Sequence, residues 1–128
     1  MIELPVLDVP SGGEAIADVS AEAGAFLKLM ADPTRRRIFL ALMQGETCNC
    51  EMVGLLGLPQ NLISHHLRQL RQAGLIRARR DEVDRRWIYY AVDREALERV
   101  QRELGLLFSP ERIGERDPNC EPALKGCD

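Results

Sequence analysis

The stretch from Gly57 to Gly74 constrains the fold most, because its apolar and polar side chains separate at a helical period of about 100° per residue. The apolar side consists of Ile63, His66, Leu67, Leu70 and Ala73. The opposite side consists of Asn61, Ser64, His65, Arg68 and Gln72. This polar side has no acid, and its amide, hydroxyl, imidazole and guanidinium groups are those that read base edges and contact phosphates in a DNA major groove. The pattern predicts a recognition helix that ends at Gly74.

A period of about two residues replaces the helical period after Gly74. Residues 75–80 and 86–92 are predicted to form the two strands of a hairpin, with residues 81–85 as its loop. The arginines near the tip of the hairpin are Arg79, Arg80, Arg85 and Arg86. A hairpin that follows a recognition helix in this way is a wing, and its basic tip is expected to reach a phosphate backbone or a minor groove.

Further helices are predicted before the recognition helix and the wing. Ser20 is a predicted N-cap of a first helix, and Asp32 followed by Pro33 is typical of the start of a second helix. A short helix that contains Met52, Val53, Leu55 and Leu56 and a tight turn then lead into the recognition helix, which is the helix-turn-helix pattern.

A last helix is expected at 94–107, with Asp93 as its cap. Its apolar stripe either closes the core or pairs with a second copy of the chain. The predicted fold class is mainly α (α+β), a winged helix-turn-helix with a two-stranded β-wing. We expect a loose arm at 1–19, the DNA-binding domain at 20–108 and a cysteine-containing tail at 109–128.

The distribution of charge along the chain agrees with a nucleic-acid partner better than the net charge does. The 128-residue chain has a formal net charge of −3, yet residues 61–90 hold seven arginines and three acids. Positive charge concentrated on one part of an acidic protein is typical of a DNA-binding surface. The sequence shows neither a membrane-spanning apolar run nor a signal peptide, so we expect a cytoplasmic protein whose four cysteines are thiols or ligands.

Five short stretches together resemble the ArsR/SmtB family of metal- and metalloid-responsive repressors, over roughly residues 21–107. They are Ala31-Asp32-Pro33-Thr34-Arg35, Cys48-Asn49-Cys50-Glu51, Ser64-His65-His66-Leu67, Ala73-Gly74-Leu75-Ile76 and Arg86-Trp87-Ile88-Tyr89-Tyr90. The resemblance implies a homodimer that joins through its first and last helices. It also implies that the dimer binds double-stranded operator DNA and dissociates from it when an inducer binds.

The sequence departs from the family pattern in four places. Pro59-Gln60-Asn61 replaces the usual Ser-Gln-Pro before the recognition helix, and the wing loop has no glycine. Asp93 matches a ligand of the zinc-sensing branch, but no histidine follows it, so that zinc site is expected to be absent. Cys48 and Cys50 match the arsenic-sensing motif Cys-x-Cys-x-x-Cys, whereas Val53 occupies its third position.

The pair Cys48 and Cys50 predicts a thiol site. On an α-helix two residues at this spacing point about 200° apart, so binding one centre requires extended or unwound backbone. A position near a helix N-terminus should lower the pKa of both thiols. Because two sulfurs are an incomplete shell, we expect Cys120 and Cys127 to supply the missing ligands.

Thiolates bind soft centres, and trivalent arsenic or antimony is the inducer that we expect. Two alternatives stay open. One is cadmium, lead or mercury on the same fold, and the other is a redox repressor whose thiols form a disulfide.

Other functional classes fit less well. We find no acid–base constellation for an enzyme such as a zinc hydrolase, and an acid-free helix face does not favour a winged helix that binds only protein. The residues expected to contact DNA from the recognition helix are Gln60, Asn61, Ser64, His65 and Arg68. Arg79, Arg80, Arg85 and Arg86 are expected to hold phosphates or enter the minor groove. His66, on the apolar side, is expected to be a core residue.

Overall fold

The computed structural model describes residues 17–116 of the chain. The elements in chain order are α1 (Ala21–Met30), α2 (Pro33–Met43), β1 (Thr47–Cys48), α3 (Asn49–Leu56), α4 (Gln60–Gln72), β2 (Ile76–Arg80), β3 (Ile88–Val92) and α5 (Arg94–Leu107), followed by a single 3-10 turn (Pro110–Arg112). No helix within this part of the chain combines the length and the apolar character needed to cross a bilayer. Most of the predicted arm and part of the predicted tail lie outside the described residues.

Short polar side chains start the helices where the sequence predicted them. Ser20, Asp32 and Asp93 each accept a hydrogen bond from the backbone N–H three residues later, at the start of α1, α2 and α5. Each bond satisfies one of the unpaired N–H groups at a helix start, and such a cap is worth about 1 kcal/mol. Helix α4 follows Pro59 with no side-chain cap, as expected from the loss of the family's serine.

The end of α4 is also as predicted. Gly74 has a φ of 77°, which favours glycine, and it directly follows the cap residue Ala73. The N–H of Gly74 donates to the carbonyl of Arg71 at 2.9 Å, and the N–H of Leu75 donates to the carbonyl of Leu70 at 3.1 Å. This pair of bonds is a Schellman motif, which fixes the direction in which the chain leaves the recognition helix.

The sheet has three strands where two were predicted. The order is β1-β3-β2 and both pairs are antiparallel, with Cys48 opposite Tyr89. Strand β1 has only two residues, which is too short to show a period of two in sequence. The predicted wing strands are present but begin later. Strand β2 begins at Ile76 because Leu75 still belongs to the motif that ends α4, and β3 begins at Ile88 because the loop extends to Trp87.

The core lies between α2, α3, α4 and the base of the sheet. Its fully or almost fully buried side chains are Ile38, Phe39, Leu42, Met52, Ile63, Leu67, Leu70, Leu75 and Ile76. Phe26 of α1 packs edge-on against Phe39, with ring centroids 5.8 Å apart. Burial of each large apolar side chain contributes about 1.5–3 kcal/mol. This packing fixes the buried side of α4 and therefore decides which side chains the helix turns outward.

Helices α1 and α5 lie side by side and are joined by polar contacts. Arg99 donates two hydrogen bonds to the carboxylate of Glu22, both at 2.9 Å, and the Ser20 hydroxyl donates to Glu103 at 2.6 Å. Leu106 and Phe108, at the end of α5, are exposed by 65% and 67%. The end of α5 therefore presents apolar side chains outward.

Candidate DNA-binding face and thiol segment

The polar face of α4 consists of Asn61, Ser64, His65, Arg68 and Gln72, and it points away from the core as predicted. All of these side chains are exposed except that of Ser64, which is half-buried. Gln60, the first residue of the helix, is exposed as well. The opposite side is buried, so the helix cannot rotate without exposing apolar surface. The polar face is thus held in one orientation.

His66 is a core residue, as the sequence predicted, and is 5% exposed. Burial and then the nearby Arg35 guanidinium lower the pKa of this imidazole below its ordinary value, against a weaker opposite effect of Asp32. The ring is therefore neutral in the folded protein at neutral pH. It contributes packing under α4 and adds no charge to the polar face.

The expected wing arginines are exposed, but three of them have partners within the chain. Arg79 binds the Glu46 carboxylate through two hydrogen bonds of 2.9 and 2.6 Å and lies over the Tyr89 ring. Arg80 donates to the carbonyl of Arg85 at 2.8 Å. The sequence pattern does not indicate the Glu46 partner, because Glu46 lies thirty-three residues before Arg79.

The acids of the wing loop shape its backbone. Asp81 accepts from the N–H groups of Val83 and Asp84, at 3.0 and 2.8 Å. Asp84 accepts from the guanidinium of Arg86 at 3.0 and 2.8 Å and from the Trp87 indole at 3.1 Å. Arg86 lowers the pKa of the Asp84 carboxyl. Since no non-glycine residue within 17–116 has a positive φ, these carboxylates close the loop without the family's glycine.

A second set of arginines binds backbone carbonyls at the ends of neighbouring helices. Arg35 and Arg36, in the first turn of α2, donate to the carbonyls of Leu29 and Met30 at 3.4 and 2.8 Å. Those carbonyls belong to the last turn of α1, where cations are favoured by the helix dipole. These two side chains therefore support the scaffold.

The thiol segment, residues 48–50, lies where β1 meets α3. Cys48 is the N-cap of α3: its Sγ accepts from the Glu51 N–H at 3.4 Å, and Glu51 Oε1 accepts from the Cys48 N–H at 2.9 Å. Such a reciprocal pair is a capping box. The Cys-x-x-Glu spacing was a signal for it that sequence reasoning missed, because cysteine is an unusual cap. Cys48 is 2% exposed, whereas Cys50 is exposed in the first turn of α3.

The prediction of a lowered thiol pKa is wrong for Cys48. Burial raises the pKa of this thiol, and the nearby Glu51 carboxylate raises it further, although the Glu51 N–H acts in the opposite direction. Removal from water disfavours the thiolate more than the helix N-terminus favours it. Cys48 is therefore a thiol that caps a helix in this conformation.

The sulfur atoms of Cys48 and Cys50 do not point towards a shared position in this structure. One sulfur is buried and the other faces outward, and no three His, Cys, Asp or Glu side chains within residues 17–116 lie close enough to hold one metal ion. Cys120 and Cys127 lie outside the described residues. Asp93 caps α5 and pairs with Arg77 at 3.1 Å, so its polar atoms serve the fold. A shared centre at Cys48 and Cys50 would require the first turn of α3 to unwind.

Asn49 makes a hydrogen bond to α4 that the sequence did not predict. It is the first residue of α3, and its Nδ2 donates to the Ser64 Oγ on α4 at 2.5 Å. The Asn49 Oδ1 is buried and has no hydrogen-bond partner among the described residues. The side chain therefore joins the thiol segment to the polar face of α4 through one hydrogen bond.

This arrangement of helices, with an acid-free α4 and a β2–β3 wing behind it, defines a winged helix-turn-helix regulator. Residues 32–78 match the family model described as bacterial regulatory protein, arsR family. The chain is 39% identical over 74 residues to an uncharacterised HTH-type transcriptional regulator of Methanocaldococcus jannaschii, a match that spans 56% of this chain and 80% of that protein. The chain belongs to the ArsR family.

A curated relative with an assigned role and a solved structure are similar as well. The arsenic resistance transcriptional regulator ArsR1 of Pseudomonas putida is 44% identical over 69 residues, which span 53% of this chain and 52% of that protein. A crystal structure described as a possible transcriptional regulator for arsenical resistance superimposes with a TM-score of 0.56 at 32% identity. That match covers 66% of this chain and 85% of that one. The chain thus spans about half the length of the Pseudomonas relative.

Proposed function

We propose that this protein is a homodimeric transcriptional repressor that binds operator DNA and is released by a thiophilic inducer. The observation that carries the DNA-binding part is the polar face of α4, which has no acid and is fixed outward by a buried opposite side. A helix of this length fits a major groove, and its short polar groups match base edges and phosphates.

The polar face and the wing have different roles in this proposal. The helix residues contact the major groove, and these are Gln60, Asn61, Ser64, His65 and Arg68. The wing residues contact phosphates or the minor groove, and these are Arg79, Arg80, Arg85 and Arg86. Exposed ion pairs such as Arg86–Asp84 are only weakly stabilising in water, so a phosphate can replace the carboxylate at small cost.

The outward apolar side chains at the end of α5 support a dimer. Leu106 and Phe108 are largely exposed in one copy of the chain, and a second copy related by a two-fold axis would cover them. Two copies would also present two α4 helices to successive major grooves, which is how helix-turn-helix dimers bind palindromic sites.

The inducer is proposed from the chemistry of the thiols and from the arsenic resistance named in relatives. Thiolates favour soft centres, and arsenite or antimonite is the first candidate, ahead of cadmium, lead or mercury. Cys48 and Cys50 would be ligands, and Cys120 and Cys127 would complete the shell. The two described sulfurs do not converge in this conformation, so binding both to one centre would require a change at the start of α3.

Fluorescence anisotropy tests the proposal. The reduced protein is bound to a labelled fragment of its own upstream DNA and titrated separately with arsenite, cadmium and zinc. Release by arsenite at low stoichiometry, lost in Cys48→Ser, supports the metalloid inducer. Release by cadmium alone would replace arsenite by a four-ligand metal, and release by peroxide with recovery in reductant would favour the redox alternative.

A further inference from the structure

The contact between Asn49 and Ser64 sets the polarity of a group on the proposed DNA-binding face. A serine hydroxyl has one proton to donate and two lone pairs to accept with. One lone pair is used, because the Asn49 Nδ2 donates to the Ser64 Oγ at 2.5 Å. The Ser64 proton is then left for a partner on the open side of α4.

A hydroxyl proton on the open side of α4 suits DNA, because DNA presents hydrogen-bond acceptors. Phosphate oxygens accept hydrogen bonds, and so do the N7 and O6 atoms of guanine and the O4 atom of thymine in the major groove. A hydroxyl whose lone pair is already occupied by Asn49 is biased towards such acceptors. Without Asn49 the same hydroxyl would be free to rotate and donate elsewhere.

We infer that Asn49 is a positioning residue for DNA binding, which holds the Ser64 hydroxyl as a hydrogen-bond donor towards DNA. Asn49 acts through Ser64 from the preceding helix, α3, and is not itself on the polar face of α4. The inference rests on the proposed function and adds a residue that the sequence pattern of the recognition helix does not contain.

The same contact makes the polar face depend on the thiol segment. Asn49 lies between Cys48, the cap of α3, and Cys50, in its first turn. Its Oδ1 is buried and lacks a partner among residues 17–116, so the Ser64 bond is the polar contact that the structure records for this side chain. Unwinding of the first turn of α3 would move Asn49 away and release the hydroxyl.

A double-mutant cycle on operator DNA tests the inference. Anisotropy gives the affinity of the unaltered protein, Asn49→Ala, Ser64→Ala and the double variant, with circular dichroism and thermal melting as checks of folding. Asn49→Ala should weaken binding roughly two- to tenfold, the worth of one hydrogen bond. In the Ser64→Ala background the same change should have almost no effect, because its target is gone.

Two results are decisive against the inference. An equal loss from Asn49→Ala with and without Ser64→Ala would mean that Asn49 acts only on general structure. Side-chain amide resonances of Asn49 that do not respond to Ser64→Ala in the free protein would mean that the hydrogen bond is absent. Absence of operator binding by the unaltered protein would instead overturn the proposed function, and the positioning role of Asn49 with it.

Discussion

Cys48 and Glu51 hold the start of α3 together, each accepting a hydrogen bond from the other's backbone N–H, at 3.4 Å for Sγ and 2.9 Å for Oε1. The residue that the family resemblance identifies as a ligand is therefore also the N-cap of the first helix of the helix-turn-helix. Any test of the thiol by mutation has to keep these two roles apart.

Substitutions at Cys48 separate the cap from the thiol. Cys48→Ser keeps an acceptor for the Glu51 N–H, so its free energy of unfolding should stay within about 1 kcal/mol of the unaltered protein. Cys48→Ala loses the cap and buried contacts and should cost about 1–2 kcal/mol. Urea unfolding measures both, with the exposed Cys50→Ala as the control. Equal stability of Cys48→Ala and the unaltered protein would show that the cap contributes nothing.

His66 should make stability depend on pH. Burial and Arg35 hold the pKa of its imidazole below the ordinary value of 6.5, so the unfolded chain takes up a proton at a higher pH than the folded one. The free energy of unfolding therefore contains a contribution from neutral His66 that is complete well above pH 6.5. This contribution is lost as the pH falls through 6.5 towards the lower pKa of the folded state. Urea unfolding at pH 7.5, 6.5 and 5.5 should show this loss, and His66→Gln should reduce it. The control is His65→Gln, because His65 is exposed. If His65→Gln changed the pH dependence of the free energy of unfolding as much as His66→Gln does, the assignment of this dependence to His66 would be contradicted.

If Arg86 contacts DNA as proposed, Asp84 competes with DNA for it. Asp84→Asn removes the ion pair at 2.8 Å but keeps an oxygen for the Trp87 indole. An exposed pair is only weakly stabilising, so affinity for operator DNA should rise by at most about fivefold. Anisotropy measures the gain, and Glu82→Gln changes the charge of the same loop by the same amount. A gain of equal size in Glu82→Gln would mean that release of Arg86 is not its cause.

The tail cysteines should matter for release from DNA and not for binding to it. If Cys120 and Cys127 complete the inducer site, replacing both with serine should raise the arsenite concentration for half-release at least about tenfold, as losses of supporting groups at metal sites do. The affinity for DNA without arsenite should be unchanged. Half-release at the same concentration as the unaltered protein would remove the tail from the site.

The sequence predicted the parts of the fold that short-range rules govern. The caps at Ser20, Asp32 and Asp93 and the glycine after α4 each depend on a few neighbouring residues, and all of them are confirmed. The buried side of α4 also follows from its period alone. Local chemistry of this kind is legible in one sequence because it needs no partner from a distant part of the chain.

The rest depends on contacts between distant residues. Strand β1 exists because Thr47 and Cys48 pair with β3, about forty residues later, and Cys48 is buried in the folded chain, which raises its pKa. The bond from Asn49 to Ser64 depends likewise on how α3 packs against α4. No pattern within either segment predicts such a contact, so the thiol prediction was wrong where burial outweighed the helix terminus.

The most direct test of the DNA-binding role of α4 is the affinity of Arg68→Ala for the protein's own upstream DNA. Arg68 is exposed on the polar face of α4, and Arg94, exposed at the start of α5, provides the matched control. We predict that Arg68→Ala loses about 1–3 kcal/mol of binding free energy at fixed salt, while Arg94→Ala binds as the unaltered protein does. Equal affinities for Arg68→Ala and the unaltered protein would contradict the claim that α4 is the DNA-reading helix.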